Sequence, residues 1–174
     1  MTKIGIILDE EAHTAMKLRQ AEFFLHKLDE FGRVRWEDLQ SKKFDEFTYY
    51  LDAFLMAYSS IFEIMFVEYR RRDNQAEFDN WQDHTLRVGR KIYLDELIGK
   101  LIEARVITFH RKQFFFHTIV ACTEDEDSEE TWYEFPLEEG DELTDIRARC
   151  QEGLDKAAII VKECEDQFEK TILT

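Results

Sequence analysis

Two side chains with catalytic chemistry, Arg105 and His110, stand five positions apart in this chain of 174 residues. The guanidinium of arginine is a permanent cation whose fork of N–H donors fits a phosphate group. The imidazole of histidine titrates near neutral pH and can give or take a proton. A phosphate-binding cation beside a proton-transferring group can cleave an RNA phosphodiester without a metal ion. The pair therefore suggests a metal-independent site, provided that the fold brings both groups to one phosphate.

The pair stands at the end of a predicted helix over residues 91–105, in which apolar residues recur at helical spacing. On a continuous helix, positions five apart lie about 140° from each other around the axis. The two groups can meet one phosphate only where the helix ends or bends between them. The β-branched residues 106–108 favour an ending there. Taken singly, Arg105 also fits a cation that complements a helix C-terminus, and His110 fits a turn or strand residue.

Long helices account for most of the remaining sequence. Apolar residues at a helical period predict helices over residues 9–31, 43–72, 75–88 and 141–168. Asp9, followed by two acids, has the pattern of a helix start, and Gly32 has that of a helix stop. Residues 33–40 are predicted to be a connector. One proline and six glycines in the whole chain also favour long, uninterrupted helices.

Residues 109–122 are ambiguous because they are rich in Phe, Ile and Val. They predict a β-hairpin with residues 131–135, joined by an acidic loop. Residues 124–130 contain six acids, and the loop region covers about residues 123–142. The predicted fold class is all-α: an antiparallel helical bundle with a small β-hairpin insertion before the last helix, in one domain over residues 1–174.

The formal net charge of −15 excludes a protein that coats nucleic acid generally, because its overall field repels phosphate. The charge is nevertheless segregated along the chain. Residues 87–112 hold seven cations against three acids, a balance of +4, whereas residues 124–145 hold twelve acids and no Lys or Arg. A local phosphate-binding surface is compatible with this pattern, and so are ordinary solvated helix faces.

The remaining residue types predict no metal site and no cofactor. Cys122, Cys150 and Cys164 form no Cys-x-x-Cys motif, so neither a disulfide framework nor a zinc site is indicated. Glu22 and His26 lie four residues apart, but the second Glu-x-x-His motif of a di-iron bundle is missing. The cysteine usage fits a reducing, cytoplasmic compartment.

No membrane association is predicted. The apolar stretch at residues 4–8 is too short for a signal sequence or a membrane span. Residues 49–69 are apolar nearly all round, but the acids Asp52 and Glu63 interrupt them. This pattern favours a helix buried inside a bundle over a membrane helix.

The order of these segments resembles small all-helical proteins of the HEPN superfamily, whose signature is an arginine, four to six residues, and then a histidine. The resemblance is carried by residues 21–28 (AEFFLHKL), by residues 44–61 at the start of the long helix, and by residues 97–110, which include Arg105 and His110. It covers most of residues 12–112, with a matching C-terminal helix.

The resemblance implies a HEPN-like homodimer in which the Arg–His motifs of two chains form one composite ribonuclease site. His110 would act as general base or acid, and Arg105 would bind the phosphate. RNA would be cut to 2′,3′-cyclic phosphate and 5′-hydroxyl ends. Arg111 and Lys112 are further candidates for phosphate contacts. Members of the superfamily often act in toxin–antitoxin or other defence systems, where an inhibitory protein partner is expected.

A non-catalytic helical interaction module is the alternative. Many active members carry a polar residue, often asparagine, directly after the arginine, and this chain has Val106 there. The acidity of the chain, and a hairpin that includes His110, favour the same alternative. A further hypothesis is that residues 124–130 mask the basic stretch within the molecule.

Overall fold

The computed structural model describes residues 13–30, 34–35, 42–88, 92–111, 120–123, 131–134 and 146–168. Most of these residues lie in five helices: α1 (His13–Glu30), α2 (Lys42–Tyr69), α3 (Gln75–Thr85), α4 (Glu96–Arg111) and α5 (Ile146–Gln167). The described strands are short: β1 (Val34–Arg35), β2 (Arg87–Val88), β3 (Ile92–Tyr93), β4 (Val120–Thr123) and β5 (Thr131–Glu134). The predicted mostly helical architecture is therefore confirmed.

Helix α2 is the central element, and α1, α4 and α5 all pack on it. One side of α2 is fully buried because its apolar residues recur every three or four positions. This side is formed by Phe47, Leu51, Phe54, Leu55, Tyr58, Ile61, Phe62, Met65 and Tyr69. Helix α5 also packs on α1 and α4, and the one continuous core between these helices also includes Phe78 and Trp81 of α3.

Helices α1 and α2 are antiparallel, and a carboxylate of α2 caps the first turn of α1. Glu68 is 2% exposed, and its two oxygens accept the backbone N–H groups of His13 at 2.6 Å and of Thr14 at 2.8 Å. These N–H groups have no acceptor inside their own helix, so the carboxylate supplies the acceptor that each of them lacks. The predicted start at Asp9 lies outside the described residues.

The end of α2, the end of α3 and the start of α4 differ from the sequence prediction. Helix α2 ends at Tyr69 because the side chain of Asn74 donates to the Tyr69 carbonyl oxygen at 2.9 Å and accepts the backbone N–H of Arg71 at 2.7 Å. Helix α3 ends at Thr85 because β2 turns back and pairs antiparallel with β3. Helix α4 begins at Glu96, where Asp95 accepts the backbone N–H of Ile98 at 3.1 Å as an N-cap.

Strands β4 and β5 pair antiparallel, with Ala121 opposite Tyr133 and Cys122 opposite Trp132, in the region for which the sequence predicts a hairpin. The acidic loop at residues 124–130 and most of residues 109–122 lie outside the described part. Strand β1 pairs with the other edge of β5, giving the order β1-β5-β4. A two-residue strand therefore lies where the sequence predicts only a connector.

Helix α5 approaches the core closely at Gly153. The hydroxyl of Tyr58 donates to the Gly153 carbonyl oxygen at 3.1 Å, and a β-carbon at position 153 would overlap the Cδ1 atom of Leu101. A second link joins α5 to the start of α4, where the ammonium of Lys156 lies 2.8 Å from Asp95 and 3.0 Å from Glu152. These contacts fix α4, and with it Arg105, relative to α5.

Candidate functional site

Arg105 and His110 lie on one uninterrupted helix, because α4 continues to Arg111. The predicted ending between the two residues is wrong. No glycine or proline occurs between Gly99 and Pro136. The three β-branched residues 106–108 each destabilise a helix by only a few tenths of a kcal/mol. His110 is therefore helical, and the expectation that a hairpin includes it is also wrong.

The continuous helix separates the two candidate groups within one chain. Five residues along an ideal α-helix correspond to about 140° around the axis. Positions 105 and 110 of one chain thus lie on different sides of α4. The side chains of His110 and Arg111, and the whole of Lys112, lie outside the described part of the structure.

Arg105 lies where α4 packs on α2; we call this line of contact, formed by Arg105, Met56 and Glu63, the α2–α4 seam. Its Nη1 is 3.4 Å from a carboxylate oxygen of Glu63, and its Nε lies 3.5 Å from the sulfur of Met56. The arginine side chain is 26% exposed and that of Glu63 is 61% exposed. Such an exposed ion pair contributes only about 0–1 kcal/mol, so a phosphate could displace the carboxylate from the guanidinium.

The other described cations of the basic stretch are also engaged. The ammonium of Lys100 pairs with Glu96 at 3.1 Å. The guanidinium of Arg87 stacks 4.3 Å from the ring centre of Phe66 and 5.9 Å from that of Tyr93. Residues 89–91 lie outside the description. Among residues 87–112, the cations whose side chains the structure describes therefore all have partners. The local net charge of +4 does not correspond to a surface of unpaired cations in this described part.

A carboxylate beside the seam carries a perturbed pKa. Burial raises the pKa of Asp52 above its usual value, and the buried Oδ1 atom has no hydrogen-bond partner within the part of the chain that the structure describes. Asp52 precedes Met56 by one helical turn on α2, so it belongs to the side of α2 that borders Arg105. The sequence marks this acid only as an interruption of an apolar helix.

A stripe of apolar residues on α2 is exposed to solvent. Tyr49, Met56 and Val67 are 68%, 36% and 56% exposed. They fall on one side of the helix together with the smaller residues Ala53 and Ser60. Of the described helices, only residues Asp45–Tyr69 are long and apolar enough to span a membrane by length and composition, and half of that window is buried. The core helix of a bundle satisfies the same criteria.

Among the described residues, no three His, Cys, Asp or Glu side chains converge on a common point. His26 instead lies 3.8 Å from Glu30 on its own helix, and His84 contacts the carbonyl oxygen of Asn80. No protein-family model, curated protein or solved structure matches the chain.

Proposed function

We propose that this protein is a HEPN-type homodimer that cleaves RNA without a metal ion, using Arg105 of one chain and His110 of the other. The observation that carries the proposal is the placement of Arg105. Its guanidinium reaches the surface where α4 packs on α2, and the carboxylate that pairs with it there, that of Glu63, is itself exposed. Positions 105 and 110 lie about 140° apart on the continuous helix, which favours a histidine that comes from a second chain.

In this mechanism the imidazole of His110 removes the proton of the ribose 2′-hydroxyl, and that oxygen attacks the adjacent phosphorus. The bond to the 5′-oxygen breaks, and this oxygen leaves as a hydroxyl after it takes the proton from the protonated imidazole. Arg105 binds the non-bridging phosphate oxygens and stabilises the charge that develops on them. The products carry a 2′,3′-cyclic phosphate and a 5′-hydroxyl. Arg111 and Lys112 are proposed to contact neighbouring phosphates.

A non-catalytic interaction module is the second candidate, and one observation favours it. The guanidinium of Arg105 already has two partners from α2, the carboxylate of Glu63 and the thioether of Met56. This arrangement accounts for the arginine as a structural link between helices. Val106 in the place of a polar residue points in the same direction.

Incubation of the purified protein with mixed cellular RNA in the presence of EDTA separates the two candidates. We expect cleavage to cyclic-phosphate ends by the natural chain, and a loss of about 10²-fold or more in His110→Ala and Arg105→Ala. His84→Ala, which removes an exposed histidine from α3, serves as the matched control and should cleave normally. No cleavage by the folded natural protein favours the interaction module.

Mixing the two inactive variants tests the composite site directly. A heterodimer of the His110→Ala and Arg105→Ala chains keeps one intact arginine and one intact histidine, each on a different chain. We expect partial recovery of RNA cleavage in the refolded mixture and none in either variant alone. Absence of recovery from confirmed heterodimers would mean that one chain supplies both groups.

A further inference from the structure

Arg87, in strand β2, stacks on two aromatic rings. Its guanidinium carbon lies 4.3 Å from the ring centre of Phe66 on α2 and 5.9 Å from that of Tyr93 on β3. Its Nε atom is buried and has no hydrogen-bond acceptor among the residues that the structure describes. Contact with aromatic rings fixes the position of a guanidinium but does not neutralise its charge. Arg87 is therefore an ordered cation that can still bind an anion.

The acids at the start of α4 do not form ion pairs with Arg87. They are paired with lysines instead: Asp95 lies 2.8 Å from Lys156, and Glu96 lies 3.1 Å from Lys100. No other carboxylate in the described part of the chain forms an ion pair with Arg87 either. Arg87 therefore keeps more of its attraction for an anion than a cation with a carboxylate partner does.

Glu63 on α2 lies near both Arg87 and Arg105. The carboxylate of Glu63, 61% exposed, is 3.4 Å from the guanidinium of Arg105. Phe66, on which Arg87 stacks, follows Glu63 by three residues, about 4.5 Å along the helix axis. Burial raises the pKa of Tyr93, the guanidinium of Arg87 opposes this rise, and the carboxylate of Glu63 adds to it, so both charges act on one hydroxyl. The two guanidinium groups thus contact neighbouring positions of α2, with one exposed acid close to each of them.

We propose that Arg87 and Arg105 bind neighbouring phosphates of one RNA strand, and that the carboxylate of Glu63 competes with these phosphates. The inference rests on the proposed function, in which Arg105 binds the phosphate that is cleaved, and it adds a residue that holds an adjacent phosphate. A nucleic-acid strand carries one negative charge per nucleotide, so two cations at neighbouring positions of a helix fit a strand better than a single free anion. The nearby charge of Glu63 lowers the positive potential that both arginines present to the strand.

The salt dependence of binding to single-stranded DNA of mixed sequence tests the inference. DNA offers the same phosphates, but it is not cut because it lacks the 2′-hydroxyl. Binding is measured at low salt, since the net charge of −15 repels a strand. We expect Arg87→Gln to weaken binding about 5-fold. The slope of the logarithm of the association constant against the logarithm of the salt concentration should become shallower by about 0.7, the value for one phosphate contact on a single strand.

The control for this variant is Lys17→Gln, which removes one cation from α1 and should leave the slope unchanged. Arg87→Lys keeps the charge without the planar group, so it should keep the slope of the natural chain. An unchanged slope in Arg87→Gln overturns the inference. A slope that becomes shallower in Arg87→Lys as well would show that Arg87 acts through the fold, and it overturns the inference too. Absence of DNA binding by the natural chain at low salt overturns both this inference and the phosphate-binding role of Arg105.

Glu63→Gln tests the competition with the opposite sign. It removes the carboxylate charge beside Arg105 and should tighten DNA binding about 5-fold. Asp29→Asn, at an exposed position of α1, removes an equal charge elsewhere and should have little effect. Weaker binding by Glu63→Gln would show that Glu63 positions Arg105 for the phosphate, and it would refute the competition.

Inorganic phosphate distinguishes a strand from a free anion. We expect it to displace the DNA only weakly; displacement at an equal concentration of phosphate groups would assign the two arginines to a free anion and overturn the inference. RNA cleavage is read separately. A shallower slope in Arg87→Gln without RNA cleavage by the natural chain refutes the proposed function alone, and cleavage with an unchanged slope refutes this inference alone.

Discussion

The carboxylate of Glu68, one residue before the end of α2, accepts the backbone N–H of Thr14, 54 residues earlier, at 2.8 Å. It also accepts the Thr14 hydroxyl and the backbone N–H of His13. Burial alone would raise the pKa of Glu68, but the hydrogen bonds from Thr14 and His13 outweigh it and hold the pKa below its usual value of 4.5. The buried charge thus joins the two helices that share the most extensive contact in the bundle.

Replacement of this carboxylate by an amide should weaken the fold. In Glu68→Gln, an NH₂ group takes the place of one acceptor oxygen and faces a backbone N–H, so at least one buried donor loses its partner. We expect the free energy of unfolding to fall by about 1–3 kcal/mol in a urea titration. Glu103→Gln, at an exposed position of α4, should leave it unchanged within about 0.5 kcal/mol. Equal stability of the Glu68 and Glu103 variants would refute the capping role.

The same group predicts how stability depends on acidity. A carboxyl with a folded-state pKa below its unfolded value stabilises the protein fully above the unfolded pKa, and this contribution is lost as the pH falls through the folded pKa. The stability difference between the natural chain and Glu68→Gln should therefore be constant near neutral pH and shrink below about pH 4.5. Thermal unfolding of both proteins from about pH 7 to about pH 3 measures it. A difference that stays constant throughout would show that Glu68 titrates alike in both states.

For Asp52, on the same helix, we expect the pH dependence of stability to have the opposite sign. Its pKa is raised by burial, so its contribution to stability declines as the pH rises from the unfolded pKa through the folded one. At neutral pH the charged form is disfavoured, and Oδ1 has no hydrogen-bond partner among the described residues. Asp52→Asn should increase the free energy of unfolding near pH 7, with the gain disappearing at acidic pH. Asp45→Asn, at an exposed position of α2, is the control. A loss of stability in Asp52→Asn would point to a partner for the charge.

The periodicity of apolar residues predicts the helices, whereas contacts between residues distant in the sequence determine the surroundings of Arg105. The apolar spacing along α2 and α5 is local information, and it suffices to predict both helices. The ion pair of Arg105 with Glu63 joins residues 42 apart, and no local pattern marks it. The end of α4 differs from the prediction because the β-branched residues 106–108 weaken a helix without ending it, and no glycine or proline stands beside them. Asp95 is a local cap signal, but the apolar residues before it obscured the start of α4.

Two glycines in helices offer a matched pair of substitutions. Gly153→Ala should destabilise the protein by about 1–3 kcal/mol, because the new methyl group would overlap Leu101 where α5 meets α4. Gly99→Ala places its methyl group 3.5 Å from the Cβ atom of Tyr93, an ordinary contact. There the substitution should be neutral or stabilise by up to about 1 kcal/mol, because alanine favours the helix more than glycine does. Urea unfolding of both variants measures the contrast. A neutral Gly153→Ala would refute the close approach of α5 to Leu101 of α4 at this position.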